Sequence, residues 1–123
     1  MGEYYFLRPK KIKKILESSF AGELSDTVAN QYYLALNNDG FTRAFLRSFS
    51  KSNPTQVVDG MNFKTESIAF FGTKDTWVPY ERIKPITDKL PIISVIIVEN
   101  AGHSLMETHF AEFNKTSLDF IKK

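Results

Sequence analysis

The sequence PIISVIIVENAGHS at residues 91–104 combines a buried-strand pattern with a candidate site residue at its end. Residues 92–98 form an apolar run of strand length. The run is apolar on both faces, which is typical of a parallel sheet that is covered on both sides. Gly102 and His103 follow directly. Because ligands bind at the carboxyl ends of strands in open parallel sheets, His103 is a candidate functional residue.

A second stretch, FFGTKDTWVP at residues 70–79, has the same pattern of an apolar strand followed by a glycine and a polar residue. Residues 67–71 predict a short apolar strand that ends at Gly72, and Asp75 follows it. Residues 80–90 have the apolar spacing of a helix. Two strands joined by about 20 residues that contain a helix are most simply parallel, with a right-handed crossover. The carboxyl ends of the strands would then meet, and Asp75 would lie near His103.

A carboxylate beside an imidazole has a defined chemical use. It accepts the Nδ1 proton, fixes the tautomer and stabilises the imidazolium that forms when the other nitrogen takes a proton. Alone, Asp75 reads as a turn residue or helix cap, and His103 as a surface residue. Because both residues follow consecutive strands in this order, a functional pair is the favoured interpretation over two unrelated polar residues. Gly72 and Gly102 would permit tight turns where a side chain would obstruct the loops.

The first half of the chain has apolar residues at helical spacing. Three helices are predicted there, with apolar faces formed by Ile12, Ile15, Leu16 and Phe20, by Val28, Ala29, Tyr32, Tyr33 and Leu36, and by Phe41, Ala44, Phe45 and Phe49. Ser25 or Asp26 would cap the second helix. A last helix is predicted to begin near Glu107 and to bury Phe110, Phe113, Ser117, Phe120 and Ile121.

Composition narrows the class of protein. The chain has 123 residues, a hydrophobic fraction of 42%, a formal net charge of +2 and no cysteine. These values predict one folded domain without disulfides or thiolate sites, and they give no case for a nucleic-acid partner. No apolar run approaches the roughly 20 residues of a membrane span, so a cytoplasmic protein is predicted. The basic cluster at residues 8–14 is most simply a solvated helix face, with anion binding as the alternative.

Together the two motifs resemble the C-terminal portion of the α/β-hydrolase superfamily, nearest to its small esterase, lipase and peptidase-like members. In that family one strand ends in Gly-x-x-Asp-x-x-Val-Pro and the next in Gly-His, and the matching residues here are Gly72, Asp75, Val78, Pro79, Gly102 and His103. The resemblance implies that Asp75 is the triad acid and His103 the catalytic base, in the family's chain order of nucleophile, acid and histidine.

The resemblance also implies a fold and a pocket. The expected class is α/β, a partial α/β-hydrolase fold in which a helical cap remnant precedes strand, helix, strand and helix, with the two strands parallel. Residues 1–62 would be the cap-like segment and residues 63–123 the C-terminal end of the core. A small-molecule ester is the expected substrate, with the aromatic residues Tyr32, Tyr33, Phe45 and Trp77 as candidate binding residues. No cofactor is expected. A metal site is not expected either, because His103 and His109 are not spaced as a helical ligand pair.

One part of the family pattern is missing. The family's nucleophile lies on a Gly-x-Ser-x-Gly turn, and these 123 residues contain neither that motif nor its Asp or Cys variants. The chain is therefore expected to be inactive alone, with a missing N-terminal half, or a second copy, as partner. The alternative hypothesis is a small non-catalytic interaction protein that pairs through an exposed strand edge near residues 67–71.

Overall fold

The structure, a computed structural model, describes residues 8–37, 40, 41, 43, 44, 47, 64–90 and 93–123. Five helices and two strands lie wholly within these residues. In chain order they are α1 (Pro9–Phe20), α2 (Asp26–Leu36), β1 (Ser67–Gly72), α3 (Tyr80–Thr87), β2 (Ile93–Val98), α4 (Leu105–Thr108) and α5 (Phe110–Ile121). The predicted α/β class, with strand and helix alternating in the second half, is confirmed.

Helices α1 and α2 begin and end where their sequences indicate. Pro9 lies in the first turn of α1, where its fixed φ suits a helix and its missing N–H costs nothing. Of the two predicted caps of α2, Ser25 is the one used, and its Oγ accepts the backbone N–H of Val28 at 3.3 Å. Ile12 and Leu16 are buried on the inner face of α1, and Ala29 is buried on α2. Of the predicted third helix, Phe41 and Ala44 are helical, whereas Phe45 and Phe49 lie outside the described residues.

The sheet has two strands in the described part of the chain. Strands β1 and β2 pair in parallel, from Ser67 opposite Ile93 to Gly72 opposite Val98, as predicted. The core beneath the sheet consists of buried Val98, Ala101 and Leu105, with Phe70, Ile96 and Phe113 packed against it. The rings of Phe70 and Phe113 lie 4.7 Å apart, so this contact fixes α5 on the sheet.

Helices α3, α4 and α5 differ from the predictions. The predicted burial of Phe110 and Ile121 is wrong, because their side chains are 61% and 76% exposed and no described element packs on that side of α5. A break at His109, with φ of −122°, separates α4 from α5. Helix α3 ends at Thr87 rather than Leu90. Leu90 precedes Pro91, and a residue before proline disfavours helical backbone.

Candidate active site

The loops after β1 and β2 are joined by hydrogen bonds at the carboxyl edge of the sheet. The backbone N–H of Thr73 donates to the carbonyl of Val98 at 3.0 Å, and that of Lys74 to Ala101 at 2.9 Å. Asn100 has a left-handed backbone with φ of 60°, and its N–H donates to Oγ1 of Thr73 at 2.8 Å. These hydrogen bonds hold the two loops in a fixed position relative to each other, next to the paired strand ends Gly72 and Val98.

The two glycines of the motifs are needed because backbone passes close to them. A Cβ at Gly72 would lie 2.6 Å from the carbonyl oxygen of Gly102. A Cβ at Gly102 would overlap the carbonyl of Ser19 and lie 2.8 Å from the backbone nitrogen of Ala21. Real Cβ atoms essentially never make such contacts. The prediction that a side chain would obstruct these loops is therefore confirmed.

Asp75 and His103 lie in direct contact. Nδ1 of His103 is 2.9 Å from Oδ2 of Asp75. The other carboxylate oxygen, Oδ1, accepts the backbone N–H groups of Trp77 at 2.8 Å and Val78 at 2.9 Å. Asp75 is buried, whereas the side chain of His103 is 41% exposed. A fixed, buried carboxylate thus supports an imidazole that solvent can reach.

The charge of Asp75 decides the direction of this hydrogen bond. Burial raises the pKa of the carboxyl, but the hydrogen bonds from Val78, His103 and Trp77 outweigh burial, and the pKa lies below its ordinary value of 3.8. Asp75 is therefore ionised at neutral pH and can only accept. The Nδ1–H of His103 must donate to it, which leaves Nε2 of the neutral ring as a proton acceptor.

The end of helix α1 supports the histidine loop, a contact that sequence reasoning missed. The backbone N–H of Ser104 donates to the carbonyl of Ser19 at 3.1 Å. The hydroxyls of the same two residues share a hydrogen bond of 2.8 Å, and Ser19 is buried. The only sequence signal was Gly102, whose lack of a side chain indicates a close neighbour without naming it.

Trp77, predicted to bind substrate, lies beside the imidazole. Its indole stacks on the ring of His103, with centroids 5.4 Å apart and planes at 29°. Its Nε1–H donates to Oγ of Ser18, in α1, at 3.2 Å. The structure therefore brings Trp77 together with the Asp75–His103 pair.

The other predicted binding residues lie elsewhere or outside the described residues. Tyr32 and Tyr33 are half-buried on α2. The hydroxyl of Tyr32 donates to the carboxylate of Glu107, in α4. Burial, followed by this bond and the negative charge of Glu107, raises the pKa of Tyr32 to about 12. Phe45 lies outside the described residues.

A cavity of about 260 Å³ opens beside the pair. Asp75 and His103 lie in its wall, and most of its other lining is apolar, including Phe70, Val78 and Met106. Among the described residues, no group of three or more His, Asp and Glu side chains is arranged to hold a metal ion. None of the described helices is long and apolar enough to cross a membrane.

Two solved structures match this arrangement of helices and strands. A serine hydrolase involved in carbazole degradation, CarC, matches 99% of this chain with a TM-score of 0.76 and 15% sequence identity. A mutant of the meta-cleavage product hydrolase CumD matches 94% with a TM-score of 0.73 and 17% identity. The chain has an α/β-hydrolase fold. The predicted resemblance to the C-terminal portion of this fold is confirmed.

The α/β-hydrolase fold is present here only in part. The chain spans 50% of the CarC structure and 46% of the CumD structure. No protein-family model matches the chain, and no curated protein matches it. At 15% and 17% identity the likeness establishes the fold alone and assigns no activity to this chain.

Proposed function

We propose that this chain supplies the acid and the base of an α/β-hydrolase whose nucleophile lies outside these 123 residues. The observation that supports this most strongly is the 2.9 Å contact between Nδ1 of His103 and Oδ2 of Asp75. Both residues follow the carboxyl ends of adjacent parallel strands, where open α/β sheets bind ligands. The fold, shared with two hydrolases, fits this assignment.

The proposed chemistry is acyl transfer to water. Nε2 of His103 removes the proton of a serine hydroxyl as its oxygen attacks the carbonyl carbon of an ester. The imidazolium then protonates the leaving alcohol, and a water molecule, activated by the same nitrogen, releases the acid from the acyl-enzyme. Asp75 remains ionised, holds the Nδ1–H and stabilises the imidazolium during both steps.

The proposed substrate is a small ester with an apolar acyl group. The apolar lining of the 260 Å³ cavity beside His103 supports this choice. Tyr32, Tyr33, Phe45 and Trp77 stay the candidate binding residues. The two motifs resemble those of the small esterase, lipase and peptidase-like members of the superfamily, and we propose an ester as the substrate.

These 123 residues are proposed to be inactive by themselves. A triad without its nucleophile retains only the weak catalysis that oxyanion-hole and binding contacts provide. The sequence holds no Gly-x-Ser-x-Gly motif. The partner is then a polypeptide segment that carries the nucleophile and the central strands, either in the same chain or as a second chain.

The test begins with the native polypeptide that carries this sequence, isolated from its source cells. Its intact mass is measured, and it is treated with a fluorophosphonate, which modifies activated serines. We expect a mass near twice 14.1 kDa or a tightly bound second chain, and one modified serine outside these residues. His103→Ala should abolish the modification and esterase activity, whereas His109→Ala should leave both unchanged. A native mass of 14.1 kDa with no partner would overturn the proposal.

A second candidate function rests on the exposed surfaces of the fold. In the described part of the chain β1 has a strand on one side only. Phe110, Leu118 and Ile121 are exposed on α5. Open strand edges and exposed apolar patches favour association, so the alternative is a non-catalytic interaction protein that pairs with a second copy.

Sedimentation of the chain alone discriminates the two functions. An interaction protein should form a single, cooperatively unfolding dimer that Phe110→Lys or Ile121→Lys weakens, whereas Glu112→Lys, also on α5, should not. A hydrolase portion should instead form no specific dimer, and the segment that carries the nucleophile should raise its thermal midpoint.

A further inference from the structure

Trp77 contacts both members of the Asp75–His103 pair. Its backbone N–H donates to Oδ1 of Asp75 at 2.8 Å. Its indole covers one face of the imidazole, at a centroid distance of 5.4 Å. Oδ2 of Asp75 completes the arrangement through its bond to Nδ1 of His103. The three residues therefore form a closed set of contacts in which each touches the other two.

The bond from Asp75 alone does not orient the imidazole. The hydrogen bond at Nδ1 and the covalent link through Cβ hold the ring on one side, and the plane of the ring can still tilt about the line that joins these two points. The side chain of His103 is 41% exposed, so solvent borders part of the ring. A second contact on the face of the ring is what sets the plane of the imidazole and hence the direction of Nε2.

The indole is itself restrained, although Trp77 is 43% exposed. Exposed side chains ordinarily change rotamer on the picosecond-to-nanosecond timescale. Here the Nε1–H donates to Oγ of Ser18 at 3.2 Å. Ser18 lies in α1, one residue before the Ser19 that bonds to Ser104. Helix α1 thus holds the indole and the histidine loop from the same side.

We propose that Trp77 is a positioning residue, which stacks on His103 to fix the plane of the imidazole, and that Ser18 of helix α1 holds the indole in place. Stacking also places the π face of the indole beside the ring on which positive charge develops in the proposed reaction. The consequence for catalysis rests on the proposed function, whereas the ordering of the ring by Trp77 does not.

The ring contact is tested by NMR on the full chain. The current of the indole ring should shift the carbon-bound ring protons of His103 upfield of those of His109, the other histidine. Trp77→Leu should return them to ordinary positions and increase ring motion. Trp77→Phe keeps an aromatic face without the N–H, and Ser18→Ala removes the acceptor; both should give intermediate shifts. The methyl resonance of buried Ala101 reports whether each variant is folded.

Fluorescence gives an independent readout. Trp77 is the only tryptophan of the chain, so the indole emission comes from this residue alone. At fixed pH, removal of the ring that stacks on the indole should change this emission. His103→Gln should therefore alter the emission intensity, whereas His109→Gln should leave it unchanged.

The active polypeptide separates this inference from the proposed function. There, Trp77→Leu should lower kcat by about tenfold to a hundredfold, the size expected for a misplaced catalytic group, whereas loss of a substrate contact alone would raise KM and leave kcat unchanged. Unshifted His103 protons in the folded wild type, or an unchanged kcat in Trp77→Leu, would overturn the positioning role. Absence of any esterase activity, with the NMR shifts as expected, would overturn the proposed function and leave the stacking intact.

Discussion

Gly102 lies so close to Ser19 that any side chain at position 102 would overlap the Ser19 carbonyl. The contact joins the loop that carries His103 to the end of helix α1. It involves backbone on both sides, so neither partner can move aside as a flexible side chain would. The glycine of the Gly-His motif is therefore required by packing between two distant parts of the chain.

Gly102→Ala should destabilise the protein. The added Cβ would lie 2.8 Å from the backbone nitrogen of Ala21, and overpacking of this kind costs about 1–3 kcal/mol. Urea unfolding followed by circular dichroism measures the change. Gly22→Ala is the matched control, because no atom lies within 4 Å of a Cβ at that position. Equal stabilities of the two variants would contradict the packing account.

Asp75→Asn should reduce esterase activity of the complete polypeptide by about 10³–10⁴-fold in kcat. The asparagine oxygen can still accept the N–H groups of Trp77 and Val78, so the loop should keep its shape. Its amide nitrogen, however, would face Nδ1 of His103 as a donor and favour the wrong tautomer. Asp88→Asn is the control, since Asp88 pairs on the surface with Lys84. Similar losses in both variants would contradict a specific role for Asp75.

Acid should destabilise the wild type more than Asp75→Asn. The folded-state pKa of Asp75 lies below 3.8, so the unfolded chain binds a proton first as the pH falls. The stability that this carboxylate contributes is present above about pH 4 and is lost below it. Urea midpoints measured from neutral pH downward should therefore converge for the two proteins.

Asp26 provides the comparison for the acid experiment. Its pKa is also lowered, first by the hydrogen bond from Lys13, but the carboxylate is largely exposed. Solvent and salt screen such a pair. Asp26→Asn should change the acid profile little, and added salt should remove what change there is. If Asp26→Asn changed the acid profile more than Asp75→Asn did, the acid-dependent stability could not be assigned to Asp75.

Tyr32→Phe should weaken the contact between α2 and α4. The lost hydrogen bond to Glu107 is worth about 1 kcal/mol. The folded-state pKa of about 12 lies above the ordinary 10.0, so the unfolded chain loses its phenolic proton first and stability falls as the pH rises between these values. Tyr32→Phe should flatten that part of the profile, as unfolding experiments at alkaline pH would show. Tyr33→Phe, the neighbouring substitution on α2, should leave the slope in place.

Local sequence patterns predicted the elements that carry the site. Two apolar runs indicated β1 and β2, and the connecting helix indicated that they are parallel. Because parallel strands end at one edge, the contact of Asp75 with His103 followed from their positions after the strands. These predictions need only residue spacing and strand direction, both of which are properties of short segments.

The remaining contacts depend on how distant segments pack. Nothing near Ser18 or Ser19 in sequence indicates that they touch Trp77 and Ser104, because these contacts join residues 59 and 85 positions apart. The same limit explains the error at Phe110 and Ile121. Helical spacing identifies an apolar face, but burial requires another element on that face, and no described segment covers this one.

The hydrogen bond between Ser19 and Ser104 spans 85 positions of sequence, with both strands in between. Contacts of such long range form slowly, because a large loop must close before they exist. During synthesis, helix α1 and strand β1 leave the ribosome well before His103 does. The acid–base pair therefore cannot become ordered until His103 has been synthesised, and the histidine loop takes its shape against a helix α1 that was made much earlier.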